Sequence, residues 1–165
     1  MPDRVLKMCL TIIAMWLCPA DPLARDLPQA PGARYQVVKV CSLLSLAEVK
    51  KLAPWPSHVD AIAKPQEEAI GSTGSSCNYP GVSIQVMVFR QSFIDTLRKA
   101  GPLERVSGVG EEAYIRNNRD YFAELVARVG PHLLTVQLSI GSSKTFDMTK
   151  PSLLEIGKVY AAKLR

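Results

Sequence analysis

Two cysteines, Cys41 and Cys77, remain in this 165-residue chain once its first segment is set aside, and they constrain the fold more than any other feature. The other two, Cys9 and Cys18, lie within an apolar stretch from Met8 to Ala20 that follows Arg4 and Lys7 and runs into Pro19, Pro22 and Pro28. A basic start, a short apolar run and small residues at Ala20 and Ala24 make the tripartite pattern of a secretory signal. We expect residues 1–24 to direct export, to a periplasm or to the medium, and to be cleaved off with Cys9 and Cys18. In an oxidising compartment the two thiols left behind form a bridge. Closing a loop of 36 positions would remove roughly 3 to 4 kcal/mol of chain entropy from the unfolded state.

The apolar run is about a dozen residues, short of the ~20 that span a bilayer, and no second such run follows, so no transmembrane anchor is expected. Cys18 stands where a lipid-attachment cysteine would, but Trp16 and Leu17 are bulky where such signals take small residues. That disfavours lipoprotein anchoring. The formal charge is +5, and a cut after Ala20 takes +1 of it with Asp3, Arg4 and Lys7. Its basic residues are scattered rather than gathered into an aromatic-interleaved stripe, which argues against nucleic-acid binding. His58 and His132 are the only histidines and CxxC is absent, so no metal site is expected. No cofactor is expected either.

Removing the leader leaves about 140 residues, enough for one domain with its own core. Residues 25–34, rich in Pro and Gly, are expected to form a flexible arm. Residues 35–165 are expected to form a single α+β domain. Tyr35 to Val40 reads as a strand or extended lead-in, and Ser45 with Glu48 stands in capping-box spacing at the start of a short helix that Pro54 ends. From Trp55 to Ser76 the chain reads as a long loop with a strand near Glu67 to Ile70, Gly71 to Ser76 being flexible. Val82 to Phe89 alternates as a strand. Gln91 to Ala100 has helical spacing and stops at Gly101 and Pro102. Three strands, Glu112 to Arg116, Tyr121 to Val129 and Leu133 to Ile140, then form a meander with turns at Asn117-Asn118 and Gly130-Pro131. A last helix follows, capped by Thr149 with Pro151 in its first turn. The predicted architecture is an antiparallel sheet with helices packed on one face, a two-layer sandwich.

Three motifs in this order, Cys41-Ser-Leu-Leu-Ser-Leu-Ala-Glu-Val49, Ser76-Cys-Asn-Tyr79 and Gly108-Val-Gly-Glu-Glu-Ala-Tyr114, resemble those of a group of small exported bacterial proteins and lipoproteins of unknown function. Members carry a CSLLT-x-x-EV start, a later Cys-x-Tyr or Cys-x-Trp and a GxGDEAY turn; here Glu111 stands where Asp is usual. The resemblance covers Cys41 to Ile140. It implies a Mog1/PsbP-like sandwich and a bridge between Cys41 and Cys77, and it carries no catalytic residues.

The residues themselves offer little chemistry. Gly108 and Gly110 have fingerprint spacing, but a strand pattern rather than a helix follows, so they are read as a tight turn of positive φ. Adjacent Glu111 and Glu112 would face opposite ways in extended chain. His58, with Ser57 and Asp60, points to a hydrolase only if a distant serine joins it, and no nucleophile elbow is present. His132 reads as a hairpin cap. The leading expectation is a non-enzymatic module that binds a protein or small ligand, with Trp55, Phe122, Glu124 and Arg128 as its contact surface. The alternatives are an envelope hydrolase around His58 and Asp60 and a structural envelope accessory.

Overall fold

The computed structural model describes residues 35–53, 64–118, 121–140 and 145–165. The leader, the arm to residue 34, and Trp55, His58 and Asp60 lie outside these. Seven strands form one sheet: β1 Gln66–Ile70, β2 Gly74–Tyr79, β3 Val82–Val88, β4 Glu104–Val106, β5 Glu112–Asn118, β6 Phe122–Val129 and β7 His132–Ser139. Their order across the sheet is β1-β2-β3-β7-β6-β5-β4. Every pairing is antiparallel. Three α-helices accompany them: α1 Leu46–Leu52, α2 Gln91–Ala100 and α3 Phe146–Lys163.

Strand alternation divides the sheet into two faces. On the inner face the cross-strand partners Val82 and Leu138, Ile84 and Val136, and Val86 and Leu134 continue into Leu125, Ala127, Ala113 and Ile115. These residues are buried in one core with Val49 of α1 and with Leu153, Ile156 and Tyr160 of α3. Gly157 lets α3 approach this face, because a Cβ there would lie 3.0 Å from a methyl of Leu125.

The second face is different. A smaller core joins Ile94 and Leu97 of α2 to Tyr114, Val126 and Leu133, all of outer register. Topology explains it: α2 links β3 to β4, and β7, β6 and β5 lie between those strands, so the connection crosses the outer face. The antiparallel α+β architecture is as expected, but the helices do not share one face: α1 and α3 pack on the inner face, whereas the crossing connection puts α2 on the outer one.

Local expectations fared unevenly. Ser45 caps α1 through a full capping box. Residues 35 to 39 are extended without being a strand, and a 3-10 turn, Val40–Ser42, follows. Gly74-Ser75-Ser76 does not belong to a loop; it opens β2, and all three residues are buried. Glycine is needed there because a Cβ would meet Val86 O at 2.5 Å and Met87 Cγ at 2.7 Å. Asn117 and Asn118 are not the first meander turn, since both belong to β5. Thr145, not Thr149, caps α3 by accepting from Met148 N, and Pro151 sits inside the helix. Thr149 instead turns its hydroxyl back to the carbonyl of Phe146 at 2.8 Å. The short β4 had no alternation to announce it.

The inner face of β2 fastens the N-terminal segment at three successive positions. Ser75 Oγ donates to Val38 O at 2.6 Å and accepts from Val40 N at 3.3 Å. Cys77 is bonded to Cys41. Tyr79 donates its hydroxyl proton to Leu44 O at 2.7 Å. Tyr160 Oη lies 3.0 Å from Tyr79 Oη, and since the Tyr79 proton is given to Leu44 O, Tyr160 is the donor there. Burial raises the pKa of both phenols, that of Tyr160 most.

Candidate functional site: a polar row on the outer sheet face

α2 leaves part of the outer face without a described helix, and the register fills that part with polar side chains. One transverse row runs Gln66, Asn78, Ser83, Gln137, Glu124 and Arg116, one residue from each of six neighbouring strands. At about 4.8 Å per strand it extends over roughly 24 Å. Within it Ser83 Oγ donates to Asn78 Oδ1 at 2.8 Å, and Gln137 Nε2 donates to Glu124 Oε1 at 2.9 Å. The guanidinium of Arg116 pairs with the other oxygen of the Glu124 carboxylate.

Burial is uneven along this surface. Glu124 is 4% exposed, while Gln137, Ser83 and Asn78 are half-buried. The adjoining row places Ser76, Gln85 and Thr135 side by side. Thr135 is 3% exposed, and its Oγ1 has no hydrogen-bond partner. A buried, unmatched hydroxyl forfeits about 1–3 kcal/mol of hydration, and native structures contain few of them. The buried ion pair is similarly weak as a stabilising device, because desolvation offsets most of its attraction.

Among the described residues, the expected contacts Phe122, Glu124 and Arg128 do not form one patch. Phe122, Glu124 and Arg128 share the outer register, but Val126 between them is covered by α2. Arg128 lies instead over the ring of Phe89, 4.7 Å from its centroid. Phe122, 40% exposed, begins β6 two residues before Glu124, and Tyr121 beside it is 69% exposed. Phe122 and Glu124 therefore share an edge of the polar row, and Arg128 belongs elsewhere. Asn78, Ser83, Arg116 and Gln137 escaped the sequence reading. The polar alternates of β3 and β7 were the only signal for Ser83 and Gln137.

Other features have structural explanations. Gly108 and Gly110 adopt φ of 85° and 62°. The loop they form borders a cavity of about 480 Å³. Glu111 accepts from Gly130 N at 2.9 Å, which holds its carboxyl below the usual range. Glu112 instead accepts from the Tyr114 hydroxyl at 2.6 Å and pairs with Arg98 at 3.1 Å. His132 does open β7, and its Nδ1 lies 3.0 Å from Tyr35 Oη, fastening the start of the domain to the sheet. Burial lowers the pKa of His132. Among the described residues no group of three or more His, Cys, Asp or Glu is placed to hold a metal ion, and no helix is long and apolar enough to cross a membrane. The Cys41–Cys77 bridge fits an oxidising environment. No family model, curated protein or solved structure matches the chain.

Proposed function

We propose that this chain is an exported, disulfide-stapled binding module whose recognition surface is the polar row on the outer sheet face. The leader pattern of residues 1–24 and the bridge support export, and the three motifs support kinship with the exported bacterial group they resemble. The observation that carries the binding reading is the unpartnered, buried hydroxyl of Thr135 beside the Glu124 and Arg116 pair. The first costs stability and the second adds little, and a surface selected only for stability would replace them with apolar side chains. Ligand binding on the row that uncovers Thr135 would give its hydroxyl the partner it lacks.

Thr135→Val keeps the shape and removes the hydroxyl. It should raise stability by about 1 kcal/mol, because an unmet polar group is lost, and should abolish the thermal shift that a ligand produces. A panel of neutral oligosaccharides, anionic oligosaccharides and short peptides supplies the probes. A variant that is less stable than the parent, or one that keeps every ligand-induced shift, refutes the reading. Mass spectrometry of the exported protein checks the compartment: a mature chain starting after Ala20 or Ala24, two protons lighter than its reduced form, is the expected result.

A further inference from the structure

We infer that the row takes a neutral polyhydroxylated chain, an oligosaccharide, laid across the strands with one ring against Phe122; this rests on the binding reading above and names its ligand class. Charge comes first. Arg116 and Glu124 neutralise each other, and Gln66, Asn78, Ser83 and Gln137 carry none, so the surface offers neither an anion nor a cation an unmatched partner. Amides and hydroxyls supply donors and acceptors together, which is what a chain of sugar hydroxyls requires. The same groups recur at strand spacing, about 4.8 Å, comparable with the repeat of an extended pyranose chain.

The aromatic rim adds a second requirement. Phe122 and Tyr121 lie exposed at one end of β6, two and three residues from Glu124. An exposed ring beside amide and carboxylate groups suits the apolar face of a pyranose, whose edges carry its hydroxyls. A peptide partner fits less well. Strand addition uses sheet edges, and both edges are blunted: β1 presents exposed Glu67 and Glu68, and β4 has three residues.

The test is an amide chemical-shift titration of the oxidised protein with three neutral hexasaccharides (cello-, malto- and chitohexaose), a hexamer of galacturonic acid and an uncharged hexapeptide. At least one neutral sugar should move the amides of Ser83, Glu124, Thr135 and Gln137, leaving those of α3 in place. Phe122→Ala and Gln137→Ala should each weaken that binding about tenfold, a change of ~1.4 kcal/mol. Silence from all three neutral sugars overturns the inference. If the galacturonic acid hexamer or the peptide alone moves the same amides, the ligand class is wrong and the binding surface stands. If no probe moves them, the ligand class fails and the surface is left to the Thr135→Val comparison, which reads stability without any sugar.

Discussion

Gly110→Ala should be among the most damaging single-methyl additions in this protein. Gly110 has φ of 62°, and a left-handed conformation costs an L-residue roughly 1–2 kcal/mol. Gly71 and Gly81 have φ of 54° and 73° with nothing within 4 Å of an added Cβ, so Ala there bears only that cost. At Gly110 the Cβ would stand 2.0 Å from Arg128 O. Two bonds tie this loop to the β6–β7 hairpin: Glu111 N donates to Arg128 O at 3.0 Å, and Gly130 N donates to the Glu111 carboxylate at 2.9 Å. Moving the loop away weakens both. The first contributes about 1 kcal/mol and the second, being exposed, about half as much. Val109, 1% exposed in the main core, would be drawn outward too. The total is roughly 3 to 4 kcal/mol, about 2 more than at Gly71 or Gly81. Urea unfolding of the three variants at one pH measures the differences. A Gly110→Ala variant within about 0.5 kcal/mol of the other two would refute the view that close approach, rather than φ alone, demands glycine here.

Replacing both Cys41 and Cys77 by Ser should cost about 4 kcal/mol by the loop-closure relation, read as a lower urea midpoint that added reductant no longer changes. Tyr79→Phe should cost about 2 kcal/mol, since Leu44 O and the Tyr160 hydroxyl both lose a partner, whereas Tyr160→Phe removes one bond and costs about 1; equal losses would contradict the donor order assigned to the pair. Burial lowers the pKa of His132 in the fold, so the unfolded chain binds its proton first and stability falls as pH drops below about 6.5. His132→Gln should lose less of its urea midpoint than the parent between pH 7.5 and pH 5 (~1 to 2 units either side of a free histidine), and an identical slope would exclude this linkage.

Local signals reached as far as local chemistry decides structure. Ser45 and Glu48 meet within one helical turn, so four residues suffice to announce α1. Alternation likewise located β3, β6 and β7, because one face of each lies in the main core. β2 was misread for a reason visible in its neighbours. Its opening Gly74 is dictated by Val86 and Met87 across the ladder, and no local rule distinguishes such a strand from a flexible Gly-Ser loop. Pro151 drew the expected cap of the last helix to Thr149, four residues past the true cap at Thr145. Proline is normally found in a first turn, whereas here the helix begins five residues before it.

The polar row belongs to another order of information. Gln66, Asn78, Ser83, Arg116, Glu124 and Gln137 come from six strands between residues 66 and 137, and apart from Glu124 each alone is an unremarked polar residue. They become a surface only when the register aligns them and the crossing of α2 covers the neighbouring residues but not these. Phe122 and Glu124 were visible beforehand because they lie two apart on one strand. Arg128 seemed to belong with them by the same spacing, yet Val126 under α2 separates them. The disulfide pair that most limits the fold thus acts on the opposite face. Cys77 lies inward on β2, while Ser76 and Asn78 on either side of it point outward. Because strand side chains alternate, fixing Cys77 against Cys41 also fixes which face those two present. A one-residue slip of β2 would remove Asn78 from the row, so the bridge holds the polar row in register without touching it.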